Sequence, residues 1–120
     1  MTRRPFHYAP IRACVRGPLS DSRTIAVLCV PLDGDPVLAR VVLPDVPDRL
    51  ALTQACTQLY ADAVDAAAAA RRTETPRALI DWWVSRAACT ADSVYLAMPM
   101  SGSGGDPQAE AEAILALRTA

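Results

Sequence analysis

The chain contains no lysine and no asparagine, and all twelve of its basic residues are Arg. Together with 23 alanines in 120 residues, this reads as the codon bias of a GC-rich bacterial genome. The net charge is −1. A non-specific nucleic-acid binder needs a net-basic face that neutralises several phosphates, so that class is disfavoured from the outset. There is one histidine, His7, so an acid–base pair or metal centre would have to draw on carboxylates or thiols beside it. The four cysteines, Cys14, Cys29, Cys56 and Cys89, lie 15, 27 and 33 residues apart. None forms the close pair of a zinc knuckle or a redox motif. No metal and no cofactor is expected.

Long apolar runs are also missing. Nothing approaches the roughly 18 consecutive apolar residues of a membrane span. Arg3-Arg4 leads into Pro5-Phe6-His7-Tyr8, which is not an apolar signal-peptide core. The expectation is a cytoplasmic protein with reduced thiols and no membrane association. What is present is ordinary globular composition, 52% apolar and 21% charged, in a length suited to one domain.

Periodicity places the elements. In Phe6–Arg16, Ala9, Ile11, Ala13 and Val15 share one side, and Tyr8, Arg12, Cys14 and Arg16 the other, as in a strand with one wet face. Thr24–Leu32 is apolar almost throughout, the pattern of a central strand covered on both faces. Asp33-Gly34 signals a turn into a third strand, Val37–Leu43. Asp45 is the expected cap of a helix to Arg72, with Pro47 and Asp48 in its first turn. Its apolar stripe is Leu52, Ala55, Cys56, Leu59, Ala63, Ala66 and Ala67, opposite Gln54, Gln58, Asp62 and Asp65. Thr75-Pro76 caps a second helix to about Cys89. Ser93–Met100 alternates as a fourth strand, Ser101–Gly105 reads as a flexible loop, and Asp106-Pro107 opens a last helix to about Arg118. The order βββααβα predicts an α+β domain of two layers: a mostly antiparallel sheet with helices packed on one face.

Trp82 and Trp83 stand side by side in the second helix. On a helical wheel Leu79, Ile80, Trp83, Val84 and Ala87 form one apolar arc that includes Trp83. Trp82 falls off it, beside Arg86. Two readings follow: Trp82 packs at the margin of the core, or Trp82 and Arg86 form a hot spot for a protein partner.

Three stretches suggest chemistry. Cys14 lies between Arg12 and Arg16 on the wet face, where two cations would favour a reactive thiolate; most free cysteines are inert. Gly102-Ser103-Gly104-Gly105 runs from strand to helix in the order of a phosphate cradle. Its spacing fits no nucleotide fingerprint, no Lys follows, and Asp106 sets a negative charge where an anion would sit. Asp33, Asp35, Asp45 and Asp48 each occupy a turn or cap and read as local hydrogen-bonding residues.

The element order resembles an uncharacterised bacterial family of short α+β proteins often encoded beside HipA-type kinases. Tyr8–Arg12 would correspond to its opening strand and Asp106-Pro107 to its final helix start. Where that family carries a Gly-Glu-Phe-Val-Asn-Val-Gly run, this chain has Asp21-Ser-Arg-Thr-Ile-Ala-Val27. The resemblance implies a fold and no activity.

The sequence therefore favours a non-catalytic accessory or adaptor protein that binds another protein, or a second copy of itself. The expected surfaces are Trp82 with Arg86, and a sheet face bearing Tyr8, Arg12 and Arg16. The alternatives are a nucleic-acid or nucleotide binder using that Arg-bearing face and the glycine stretch, and a small thiol enzyme using Cys14.

Overall fold

The computed structural model describes residues 4–15, 21–32, 34–41, 49–87 and 94–119. In chain order the elements are β1 (Arg4–Val15), β2 (Asp21–Pro31), β3 (Val37–Arg40), α1 (Arg49–Arg72), α2 (Pro76–Ala87), β4 (Val94–Leu96), β5 (Met100–Gly104) and α3 (Pro107–Thr119). The class is α+β, built on an antiparallel five-stranded sheet of order β3-β2-β1-β4, with β5 also paired to β1. The expected caps at Asp45, Pro47 and Asp48 lie outside the described residues.

β4 and β5 lie end to end along the same edge of β1. β4 pairs with Ile11–Ala13 and β5 with Arg4–Tyr8. The single strand expected over Ser93–Met100 is thus broken at residues 97–99. Pro10 explains the break. Its carbonyl accepts from Ala97 N at 3.0 Å, so its ring nitrogen, which has no hydrogen, faces the same neighbour. Pro99 has no N–H to return. A proline inside a central strand is tolerated where the neighbouring strand is interrupted. Beyond the gap, pairing resumes through the residues expected to form a flexible loop. Gly102, Ser103 and Gly104 are strand, opposite Phe6, Pro5 and Arg4. Gly102 is needed there because a Cβ would come within 2.9 Å of the Phe6 ring and 3.3 Å of Tyr8.

β2 is covered on both faces, as its continuous apolar run demands. Leu28 and Val30, with Ala9, Ile11 and Ala13 of β1, pack under α1 and α2. The alternate residues Val27 and Cys29 pack with Phe6 and Ala39 against Ala111 and Leu115 of α3. The helices are therefore divided between the two faces of the sheet, which corrects the expectation of a single helical layer. The α1 stripe from Leu52 to Ala67 lies against the core as expected, and Gln54, Gln58 and Asp65 face solvent.

The helix ends follow from local chemistry. Asp106 caps α3, its carboxylate accepting from Gln108 N at 3.4 Å and its carbonyl from Glu110 N at 3.0 Å. α1 ends in a Schellman turn, in which Thr75 N donates to Ala70 O and Glu74 N to Arg71 O. The left-handed position of that turn, usually Gly, is Glu74 with φ 52°. Thr75 precedes α2 as expected, but its hydroxyl donates back to Thr73 O at 3.0 Å instead of capping the new helix.

The β3 edge is blunted. Tyr60 of α1 donates to Pro36 O at 3.1 Å, and Gln108 of α3 reaches Leu38 O at 3.5 Å. Two carbonyls along this edge, Pro36 O and Leu38 O, are thus met from the two helical layers, and Pro36 has no N–H. A short edge closed in this way resists pairing with a second sheet.

Candidate functional site

α2 buries most of the arc its apolar residues suggest, shifted to one side of it. Leu79 and Trp83 are buried, Ala78, Ile80, Trp82, Arg86 and Ala87 are half-buried, and Val84 is 40% exposed. The buried face is rotated away from Val84 and toward Trp82. Trp83 is fully enclosed, and its indole N–H donates to Ala97 O at 2.9 Å. It therefore ties α2 to the gap between β4 and β5. Trp82 packs at the margin of the same core and meets Trp83 edge-on, with ring centroids 6.3 Å apart and planes at 73°.

Arg86 follows Trp82 by one helical turn, a spacing that makes them neighbours on the helix surface. It is half-buried, and its Nε is shut off from solvent with no hydrogen-bond partner among the described residues. A buried donor without a partner costs roughly 1–3 kcal/mol, and more on a charged group. The outer face of α2 is otherwise plain surface, where Arg77 and Asp81 form an exposed ion pair at 3.8 Å.

The second expected surface lies elsewhere. Tyr8 is half-buried on the α3 side of the sheet, edge-on to Phe6 at a centroid distance of 5.8 Å. Arg12 donates to the buried Thr24 hydroxyl at 3.2 Å. The face bearing Tyr8 and Arg12 was expected to need no helix, yet α3 covers the part that carries Tyr8. Trp82 and Tyr8 pack into cores on opposite sides of the sheet, so one flat interface cannot take in both. Arg16 lies outside the described residues.

The glycine stretch is not a loop at a helix start. Gly102–Gly104 are held in β5, and a side chain at Gly104 would collide with the Glu110 carboxylate. An acid already stands beside the backbone that an anion would approach. Cys14 lies in β1 opposite Ser22, and its side chain is outside the described residues. The two thiols that are described are buried. Burial pushes the Cys29 thiol up to about 12, with the Glu110 charge adding to it. Burial raises Cys56 to about 11 against a smaller opposing pull from Arg40. Neither is a nucleophile near neutral pH. Burial also lowers His7 below its usual range.

No family model, curated protein or solved structure matches this chain.

Among the described residues, no three His, Cys, Asp or Glu side chains stand close enough to hold a metal ion. No described helix is long and apolar enough to cross a membrane. Sequence reasoning missed two features. One is Arg86 as an orphaned donor inside the buried arc; its position one turn from Trp82 was visible, but the rotation of the helix was not. The other is an apolar cleft where the α1–α2 turn meets the β2–β3 hairpin. Its only signal was Leu32, an apolar residue directly before a turn.

Proposed function

We propose that this chain acts by binding another protein, as an accessory subunit without chemistry of its own, and that Trp82 and Arg86 of α2 mark the contact. The observation that carries the reading is the Arg86 Nε, a buried donor with no hydrogen-bond partner among the described residues. The Arg86 side chain is only half-buried, so a partner's carboxylate would meet the remaining donors of the guanidinium in a charge-assisted hydrogen bond and offset the cost of the buried Nε. The half-buried Trp82 beside it supplies the apolar area that protein hot spots combine with Arg. The buried, neutral thiols Cys29 and Cys56 and the isolated His7 offer no competing catalytic set.

The test is a pair of variants. Arg86→Met keeps the hydrocarbon stem and removes the orphaned donor. It should leave the chain at least as stable as the parent, because no bond to a described residue is lost, and should abolish co-purification of the partner. Loss of stability in Arg86→Met would mean that Arg86 serves the fold. Retention of the partner by Arg86→Met would place the contact elsewhere.

A further inference from the structure

The cleft between the α1–α2 turn and the β2–β3 hairpin has a volume of about 280 Å³. Hydrocarbon dominates its wall: Pro31 at the end of β2 and Leu32 just after it, Ala67 and Ala70 from α1, and Leu79 from α2. The space exists because α1 places alanines at the two wall positions where larger side chains would fill it. Leu32, in the turn after the strand, is left 51% exposed. Isolated exposed leucines are ordinary; one that borders a preformed apolar cleft is a surface that an occupant would cover.

The rim selects against charge. Arg71 bridges from α1 to Asp35 on the hairpin at 3.1 Å, so its cation is already matched. Glu74 stands beside it. Arg4 reaches over Gly34, close enough that a Cβ there would lie 2.9 Å from its guanidinium. Among the described lining residues the charged groups are Arg71, already matched by Asp35, and Glu74, whose carboxylate disfavours an anion.

We infer that this cleft binds a small, uncharged apolar molecule of bicyclic aromatic size. A closed apolar cavity of about 150 Å³ takes a benzene ring. The volume here is close to twice that, which suits two fused rings. The inference is independent of the protein-binding reading, because Trp82 and Arg86 do not line the cleft.

Indole is the probe, titrated into the isotope-labelled full chain while backbone amide shifts are followed. The expected result is saturable shifts centred on Leu32, Ala67 and Ala70. Indole-3-carboxylate, the same rings with a negative charge, should bind at least about tenfold more weakly. Ala70→Leu should fill the cleft and weaken indole binding by about tenfold or more. Leu32→Glu alters an exposed residue, so it tests the same point without threatening the core, and it should weaken binding as well. Val84→Glu, on the outer face of α2, should leave binding unchanged. Absence of saturable shifts up to the solubility limit of indole would overturn the inference. So would binding that Leu32→Glu leaves at parental strength, or binding of the carboxylate as tight as that of indole.

Discussion

Trp83→Ala is expected to remove about 4 kcal/mol of folding free energy, and Trp82→Ala about half of that. Trp83 is fully enclosed, and truncating a buried Trp costs roughly 3–5 kcal/mol through lost transfer energy and the cavity left behind. Its N–H also meets Ala97 O, whose own N–H is used by Pro10. Trp83→Phe separates the two contributions. It keeps most of the ring and leaves Ala97 O without its donor, for about 1–3 kcal/mol. Trp82 is half-buried and contributes a partial burial term of roughly 1 kcal/mol. The edge-on contact with Trp83 adds about 0.5–1.5 kcal/mol. Urea denaturation followed by far-ultraviolet circular dichroism measures all three variants without relying on tryptophan emission. The double variant should fall short of additivity by about the ring–ring contribution. For a domain of 5–15 kcal/mol total stability, the Trp83→Ala loss is large enough to broaden or erase the native baseline. Equal costs for Trp82→Ala and Trp83→Ala would refute the reasoning and return Trp82 to the core.

Three further outcomes follow from local geometry. Glu74→Gly should stabilise the chain by about 1 kcal/mol, because Glu74 sits at φ 52° in a Schellman turn that glycine occupies without strain; a rise of about 4 °C in Tm is the readout. Cys29 and Cys56 should resist a thiol reagent at pH 8 in the native state. Because their folded values of about 12 and about 11 lie above the ordinary value of 9.0, stability is lost as pH rises above 9, and Cys29→Ala should reduce that loss. His7 has the opposite sense. Its folded value lies below 6.5, so the unfolded chain takes up the proton first and stability falls as pH drops through 6.5; His7→Gln should flatten that slope in pH-dependent urea melts.

Much of the architecture can be read from residue patterns. Alternation in β1 places Ala9, Ile11 and Ala13 in the core, and every residue of the expected α1 stripe from Leu52 to Ala67 packs in or against it, joined by Tyr60. Asp106-Pro107 starts α3. The second layer was present in β2 as well, since Val27 and Cys29 cannot share a face with Leu28 and Val30. An apolar strand with both faces to bury needs a helix on each, and that requirement outweighs the simpler two-layer arrangement. The break between β4 and β5 was less accessible. It depends on Pro10 lying opposite residue 97, a juxtaposition set by strand pairing about ninety residues apart. The strand at Gly102 likewise depends on the Phe6 ring that rests on it. For α2, the wheel gave Ile80 and Val84 equal weight with Leu79, and apolarity alone does not say which side meets the sheet. That is why Arg86 appeared as a surface charge when it lies within the buried arc.

Native mass spectrometry on the chain purified gently from its own host, side by side with Arg86→Met, tests the central claim most directly. The account predicts a stoichiometric complex with a second protein for the parent chain and none for an equally stable Arg86→Met. A bare parent chain, a complex that Arg86→Met retains, or a bound nucleotide or nucleic acid in place of a protein would contradict it.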